Sequence, residues 1–192
     1  MQRLTVFLIV LSGLVSGSAI AGLNPDKQTV FITGANRGIG LEFVKQYAAG
    51  GWNVIATTRN IDSSDDLRAL AATNSGIIIE QLDVTDFARI DELTKKYEGQ
   101  SFDVFISNAG ITPKYKTAFS RANKIDYDMA RKSYEVNALA PLHLSTAFME
   151  NVSAAENGKI VIISSKGGSF GAKEAEFPMM YSYRASKAAL NM

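Results

Sequence analysis

Tyr183 and Lys187 lie four residues apart in the run Tyr-Arg-Ala-Ser-Lys, a spacing that places both side chains on one face of a helix. A tyrosine phenol ordinarily titrates at a pKa of about 10 and is a poor acid or base near neutrality. An ammonium beside it favours the phenolate and moves it toward the range where proton transfer is efficient. The same spacing also serves as a plain solvated helix face. The pair gains chemical meaning only from the residues that accompany it.

The first of these form the turn Thr33-Gly34-Ala35-Asn36-Arg37-Gly38-Ile39-Gly40. Thr29-Val30-Phe31-Ile32 before it is a β-branched and aromatic run that reads as a buried strand. Leu41 to Ala49 after it has helical spacing and stops at Gly50-Gly51. A strand, a glycine turn and a helix N-terminus form a cradle for phosphate, because the glycines allow a tight turn and the helix start offers free N–H groups and a positive dipole. Gly34, Asn36, Arg37, Gly38, Ile39 and Gly40 are therefore candidate cofactor contacts. No Gly-Lys-Ser/Thr follows, which excludes a P-loop for ATP or GTP. The plain alternative is an ordinary glycine-rich βα turn.

Further strands are expected at Val54–Thr58, Ile77–Val84, Phe102–Ile106 and Lys159–Ile163, alternating with helical segments. That alternation predicts an α/β fold, a Rossmann-type doubly wound parallel sheet. Arg59 stands at the tip of the second strand, where an acidic residue would bind a ribose hydroxyl and an arginine accommodates a 2′-phosphate. With Arg37 nearby, two guanidiniums can grip that phosphate, which favours NADP(H) over NAD(H). Asp62 is close enough in sequence to pair with Arg59 instead. The fourth strand runs into Ser107-Asn108-Ala109-Gly110, small residues that let a sugar lie against the strand end. The fifth runs into Ser164-Ser165, and a hydroxyl there can hold a carbonyl oxygen as charge develops on it.

Thr-Gly-x-x-x-Gly-x-Gly, then Asn-Ala-Gly, then Tyr-x-x-x-Lys, in this order over residues 28–192, resembles the short-chain dehydrogenases/reductases. Thr-Gly-Ala-Asn-Arg-Gly-Ile-Gly and Tyr-Arg-Ala-Ser-Lys-Ala-Ala-Leu-Asn are similar to its C-factor-like and carbonyl-reductase-like members. The resemblance implies reduction of a small-molecule carbonyl by hydride transfer, with Tyr183 giving the proton, Ser165 holding the oxygen (Ser164 as the fallback), and Lys187 also binding the ribose. Asp83 would bond the adenine amino group and Val84 pack near the ring, with Asn108, Ala109 and Gly110 beside the sugar. Asp83 to Asp86 is equally a helix N-cap signature, and both roles are compatible. A homo-oligomer is implied for the full-length protein. The segment from Lys166 to Ser182 is longer than the family spacing and carries Lys173, Glu174 and Glu176, which bears on the serine assignment.

Tyr127 to Glu150 is expected to be one long helix containing Pro141. Proline has no N–H for the carbonyl four residues earlier, that of Asn137, and an orphaned carbonyl needs another donor such as an ordered water. The resemblance implies that this carbonyl holds a water in a proton relay to Lys187. A kink without chemistry is the alternative. His143, in the same segment, is expected to pack or face solvent.

Residues 1–21 combine a short basic start with an almost uncharged apolar run ending Ala19-Ile20-Ala21, the pattern of a secretory leader, with a membrane anchor as the runner-up. The dinucleotide-binding domain then occupies residues 22–192. A real leader implies a secretory or periplasmic protein; a start codon placed too early implies a cytoplasmic one, without membrane contact. A domain of this kind often reaches about 200–250 residues, so the chain is expected to be truncated at its C-terminus. A formal net charge of +1 gives no case for nucleic acid. The absence of cysteine excludes disulfides, thiolate metal sites and cysteine nucleophiles, and no metal site is expected. Two other readings stay open: a C-factor-like nucleotide-binding signalling protein with little turnover, and an inactive fragment.

Overall fold

The computed structural model describes residues 23–113, 122–171 and 179–192. The expected leader, and Lys173, Glu174 and Glu176, lie outside the described residues. Five strands, β1 (Thr29–Ile32), β2 (Asn53–Thr58), β3 (Ile77–Gln81), β4 (Val104–Ser107) and β5 (Lys159–Ile162), form one parallel sheet in the order β3-β2-β1-β4-β5. The order reverses between β1 and β4. Each crossover carries helix: α1 (Gly38–Ala49), α2 (Asp65–Thr73), α3 (Phe87–Lys96), and then the run α4 (Tyr127–Tyr134), a π-turn (Glu135–Leu139), α5 (Ala140–Ala147) and α6 (Met149–Ser153). The last helix is α7 (Tyr181–Asn191).

Strand alternation divides the core into two layers. Phe31, Ile55 and Phe105 point to one side, where they meet Ile90 and Leu93 of α3 and Val136, Leu144 and Phe148 of the long helical run. Val30, Ile32, Val54, Ala56, Val104 and Ile106 point to the other, against Leu41 and Val44 of α1 and Leu67 of α2. The central strands are buried throughout, as a parallel sheet covered on both faces requires. β5 lies at the sheet edge, with Val161 and Ile162 exposed.

The expected single helix from Tyr127 is instead interrupted. Pro141 cannot donate to Asn137, and the chain accommodates this by widening into the π-turn just before it, where the Ala140 N–H reaches back to the Glu135 carbonyl. α3 starts as expected: the Asp86 carboxylate accepts from the Arg89 N–H, while Asp83 is left to bond the Thr85 N–H and hydroxyl. A buried carboxylate fixes α3 to the sheet: Glu80 accepts from Tyr97 at 2.7 Å, from Arg89 at 3.2 Å and from Lys96. Burial and the facing Glu80 carboxylate push the Tyr97 phenol far above its ordinary value, so it remains a donor.

Candidate active site

The reversal between β1 and β4 opens a cleft at the carboxyl ends of the strands, the position where doubly wound sheets bind ligands. Its volume is about 890 Å³, and it is lined by the glycine turn, the tips of β2 and β3, and the Asn108–Gly110 segment. Thr33 closes the turn against β4: its hydroxyl accepts the N–H groups of Asn108 and Ala109 at 2.9 and 3.0 Å. Asn108 returns the contact, donating to the carbonyls of Thr33 and Gly34 at 2.9 and 3.0 Å. These bonds span some 75 residues of sequence, which explains why Asn108 must be an amide with two donors.

Two glycines have separate reasons to be glycine. At Gly40 a Cβ would lie 2.2 Å from the Gly34 carbonyl oxygen, so the helix start could not pack on the turn. At Gly38 φ is +57°, and a Cβ there would meet nothing within 4 Å. Only glycine takes that backbone without strain, and the open space beside it leaves the first N–H groups of α1 approachable. No acidic side chain occupies the first turn of α1. Gly34, Asn36, Arg37, Gly38 and Ile39 all line the cleft, while Gly40 is buried beneath it. The turn therefore fits a pyrophosphate, which pairs best with free N–H groups at a helix start.

Arg37 and Arg59 line the same cleft and form no ion pair among the described residues; the alternative Arg59–Asp62 pair is absent there. The Arg59 backbone is tied down through its carbonyl, which accepts from Gln81 at 3.2 Å. Asp83 and Val84 line the cleft at the tip of β3. Partial burial raises the Asp83 carboxyl, but the bonds from Thr85 and the charges of Arg59 and Lys132 outweigh it, and its pKa is lowered. Lys132 faces the cleft from α4, a contact that helical periodicity alone gave no reason to single out.

At the other end, α7 lies beside the exit of β5. The Lys187 ammonium is buried and donates to the Ile163 carbonyl at 2.8 Å. Burial lowers its pKa, because the charged form loses hydration. Gly168 packs so closely on α7 that a Cβ there would stand 2.6 Å from the Lys187 carbonyl. The space beside neighbouring Gly167 is shared: a Cβ there would be 3.4 Å from the Ser165 hydroxyl and 3.8 Å from the Tyr183 ring. Ser165 and the half-buried Tyr183 thus both border Gly167, and the Ser165 hydroxyl accepts the Gly167 N–H at 3.1 Å. Ser164 is turned elsewhere and donates to Asn191 at 2.5 Å.

Asn137 is fully buried, and its side chain is committed. The amide oxygen accepts from the Ile111 N–H at 2.8 Å, while the amide nitrogen donates to the Ile111 carbonyl at 2.9 Å and to Ser186 at 3.0 Å. His143 is half-buried, with its ring against Phe87 at 4.3 Å, a packing role as expected. Among the described residues no cluster of His, Cys, Asp or Glu could hold a metal ion, and no helix is long and apolar enough to cross a membrane.

Residues 28–192 match the short chain dehydrogenase family model. An uncharacterized oxidoreductase of Schizosaccharomyces pombe is 33% identical over 165 residues, which cover 84% of this chain and 62% of that protein. The chain spans about three fifths of the length of such curated relatives. Among solved structures, the NADPH-bound carbonyl reductase from chicken fatty liver superposes with a TM-score of 0.75 at 32% identity, over 86% of this chain and 68% of that one. A carbonyl reductase of Pseudomonas aeruginosa PAO1 in complex with NADP gives a TM-score of 0.75 at 30% identity, over 85% of this chain and 72% of that one.

Proposed function

Because the chain belongs to the short-chain dehydrogenase family, we propose that it is an NADP(H)-dependent oxidoreductase that reduces a small-molecule carbonyl to an alcohol. The observation that carries this reading is the convergence at Gly167. The Tyr183 ring and the Ser165 hydroxyl approach the same point, and Lys187 is anchored on the carbonyl of Ile163, two residues before Ser165. Outside that convergence, the glycine turn and the cleft fit a dinucleotide.

A dihydronicotinamide held in the cleft would supply the hydride. Ser165 holds the substrate oxygen by a hydrogen bond, in the position where negative charge develops as the carbonyl carbon is reduced. Tyr183 donates its phenolic proton to that oxygen, leaving an alcohol. Lys187 places a positive charge at the strand end, close to the tyrosine and within reach of a ribose. Asn137 contributes its backbone carbonyl to a water-mediated relay that returns the proton. The paired amide bonds to Ile111 hold that part of the helix in place. Val84 and Asp83 take the adenine, and Asn108, Ala109 and Gly110 the sugar beside it. Arg37 and Arg59, which form no ion pair among the described residues, favour the 2′-phosphate of NADP(H).

Residues 1–21 are proposed as a targeting leader on the strength of their basic start, apolar run and Ala-x-Ala end. N-terminal sequencing of the protein from its source, with cell fractionation, decides between the exported and cytoplasmic readings. For the catalytic reading the test is Tyr183→Phe, assayed with NADPH against small aldehydes, ketones and quinones. Turnover is expected to vanish while NADPH binding persists. A variant that reduces carbonyls at the wild-type rate would falsify the assignment, and wild-type protein that binds NADPH without turnover would point to the signalling reading.

A further inference from the structure

Tyr183, Lys187 and Asn191 succeed one another at intervals of four along α7, so all three lie on one helical face. Each meets a different part of the β5 exit. Tyr183 approaches Gly167, Lys187 donates to the Ile163 carbonyl at 2.8 Å, and Asn191 accepts the Ser164 hydroxyl at 2.5 Å. The first two contacts belong to the proposed chemistry. The third involves neither cofactor nor substrate, although it immediately precedes the serine that does.

We infer that Asn191 is a positioning residue: through Ser164 it fixes the backbone that presents the Ser165 hydroxyl to Tyr183. The inference rests on the proposed role of Ser165. Consecutive residues of an extended chain point to opposite sides, so clamping Ser164 by its side chain fixes the direction in which Ser165 leaves the strand. Ser165 is extended, with φ −152° and ψ 148°, and caps the short 3₁₀ turn Lys166–Gly168 by accepting the Gly167 N–H. Ser164 is exposed and β5 lies at the sheet edge. Beyond Ile163, whose N–H still bonds the Ser107 carbonyl at 3.0 Å, the clamp from α7 takes over from the strand ladder. The bond runs from the serine hydroxyl to the asparagine carbonyl oxygen, so position 191 must accept, not donate.

That polarity makes the test specific. Asn191→Asp keeps the acceptor, whereas Asn191→Leu keeps the size and loses it. In the full chain, amide hydrogen exchange at Gly167 reports whether its bond to Ser165 persists, independently of activity. Asn191→Leu and Ser164→Ala are each expected to speed Gly167 exchange about tenfold, on the scale at which loss of one local hydrogen bond opens a segment. The double variant should be no faster, and Asn191→Asp should match the wild type. Amides of β1 and β4 should not change. In the assay described above, Asn191→Leu should lower kcat about tenfold with the Kd for NADPH unaltered.

Unchanged Gly167 exchange in Asn191→Leu overturns the inference. So does loss of protection spread equally over β1 and β4, which would mark a merely structural role. Additive effects of Asn191→Leu and Ser164→Ala overturn it as well. Failure of the catalytic assignment itself would appear separately, as a Tyr183→Phe variant with full turnover, and would leave the exchange pattern as it is.

Discussion

Asn137 and Ser186 are joined by a 3.0 Å hydrogen bond across 49 residues of sequence, both of them buried. Ser186 in turn donates to the Tyr183 carbonyl at 2.7 Å. The π-turn that precedes Pro141 is thereby connected to the helix carrying the proposed acid. The other two bonds of the Asn137 side chain hold Ile111, which lines the cleft. One amide therefore ties the cleft to the helix that carries the proposed acid, and nothing in the asparagine's local sequence requires it to do so.

Replacing Asn137 with Ala leaves the Ile111 N–H and carbonyl and the Ser186 hydroxyl short of partners. Each buried polar group left unpaired costs about 1–3 kcal/mol, so a total loss of about 3 kcal/mol is expected by urea denaturation. NADPH affinity should fall with it, because Ile111 loses its support. An Asn137→Ala variant with wild-type stability would show that the three bonds are incidental.

Lys187 gives a pH signature. Its pKa in the folded protein lies below the ordinary 10.5, so between the folded value and 10.5 the unfolded chain binds more protons. Stability contributed through this group therefore rises with pH across that window and is lowest where the ammonium is fully charged. Lys187→Met removes the dependence. The Tm difference between wild type and Lys187→Met should move in favour of the wild type as pH is raised toward 10.5, while the variant has no turnover. A constant difference over that range would mean that burial does not perturb the ammonium.

Gly38 and Gly40 should respond differently to alanine. Gly38→Ala meets open space but must hold a positive φ, a strain of about 1–2 kcal/mol, and its methyl would project into the phosphate cradle. The expected result is a folded protein with at least about tenfold weaker NADPH binding, a loss of about 1.4 kcal/mol. Gly40→Ala places a methyl against the Gly34 carbonyl and should compromise folding itself. Calorimetric titration of NADPH, with thermal melts on both variants, separates these outcomes. Undiminished NADPH affinity in Gly38→Ala would move the phosphate site away from this turn.

Arg59 tests cofactor choice. Arg59→Asp reverses the charge where the 2′-phosphate is proposed to sit, so NADPH affinity should drop by about a hundredfold, or 2.8 kcal/mol, with NADH binding maintained or improved. Comparable losses for both cofactors would place the arginine away from the 2′ position.

Much of this protein was legible before folding, because short-range patterns report directly on backbone geometry. Continuous β-branched and aromatic runs such as Val30-Phe31-Ile32 specified strands with two buried faces. Gly34, Gly38 and Gly40 between strand and helix specified the turn, and Asp86 before Phe87 specified a cap. The interval from Tyr183 to Lys187 specified a shared helix face. What remained open depended on partners distant in sequence. Ser164 and Ser165 are equivalent as neighbouring hydroxyls, and only the packing of α7 on β5 sends one to Asn191 and the other toward Tyr183. The Arg59–Asp62 pair was equally available on paper, but the chain leaves Arg59 facing the cleft. Lys132, the bonds of the Thr33 hydroxyl to Asn108 and Ala109, and the side-chain partners of Asn137 carried no local signal. Their roles arise from the chain reversal between β1 and β4, which brings together segments separated by 26 to 75 residues. Periodicity fixes which way a side chain points from its own element, and only the packed sheet fixes what it meets.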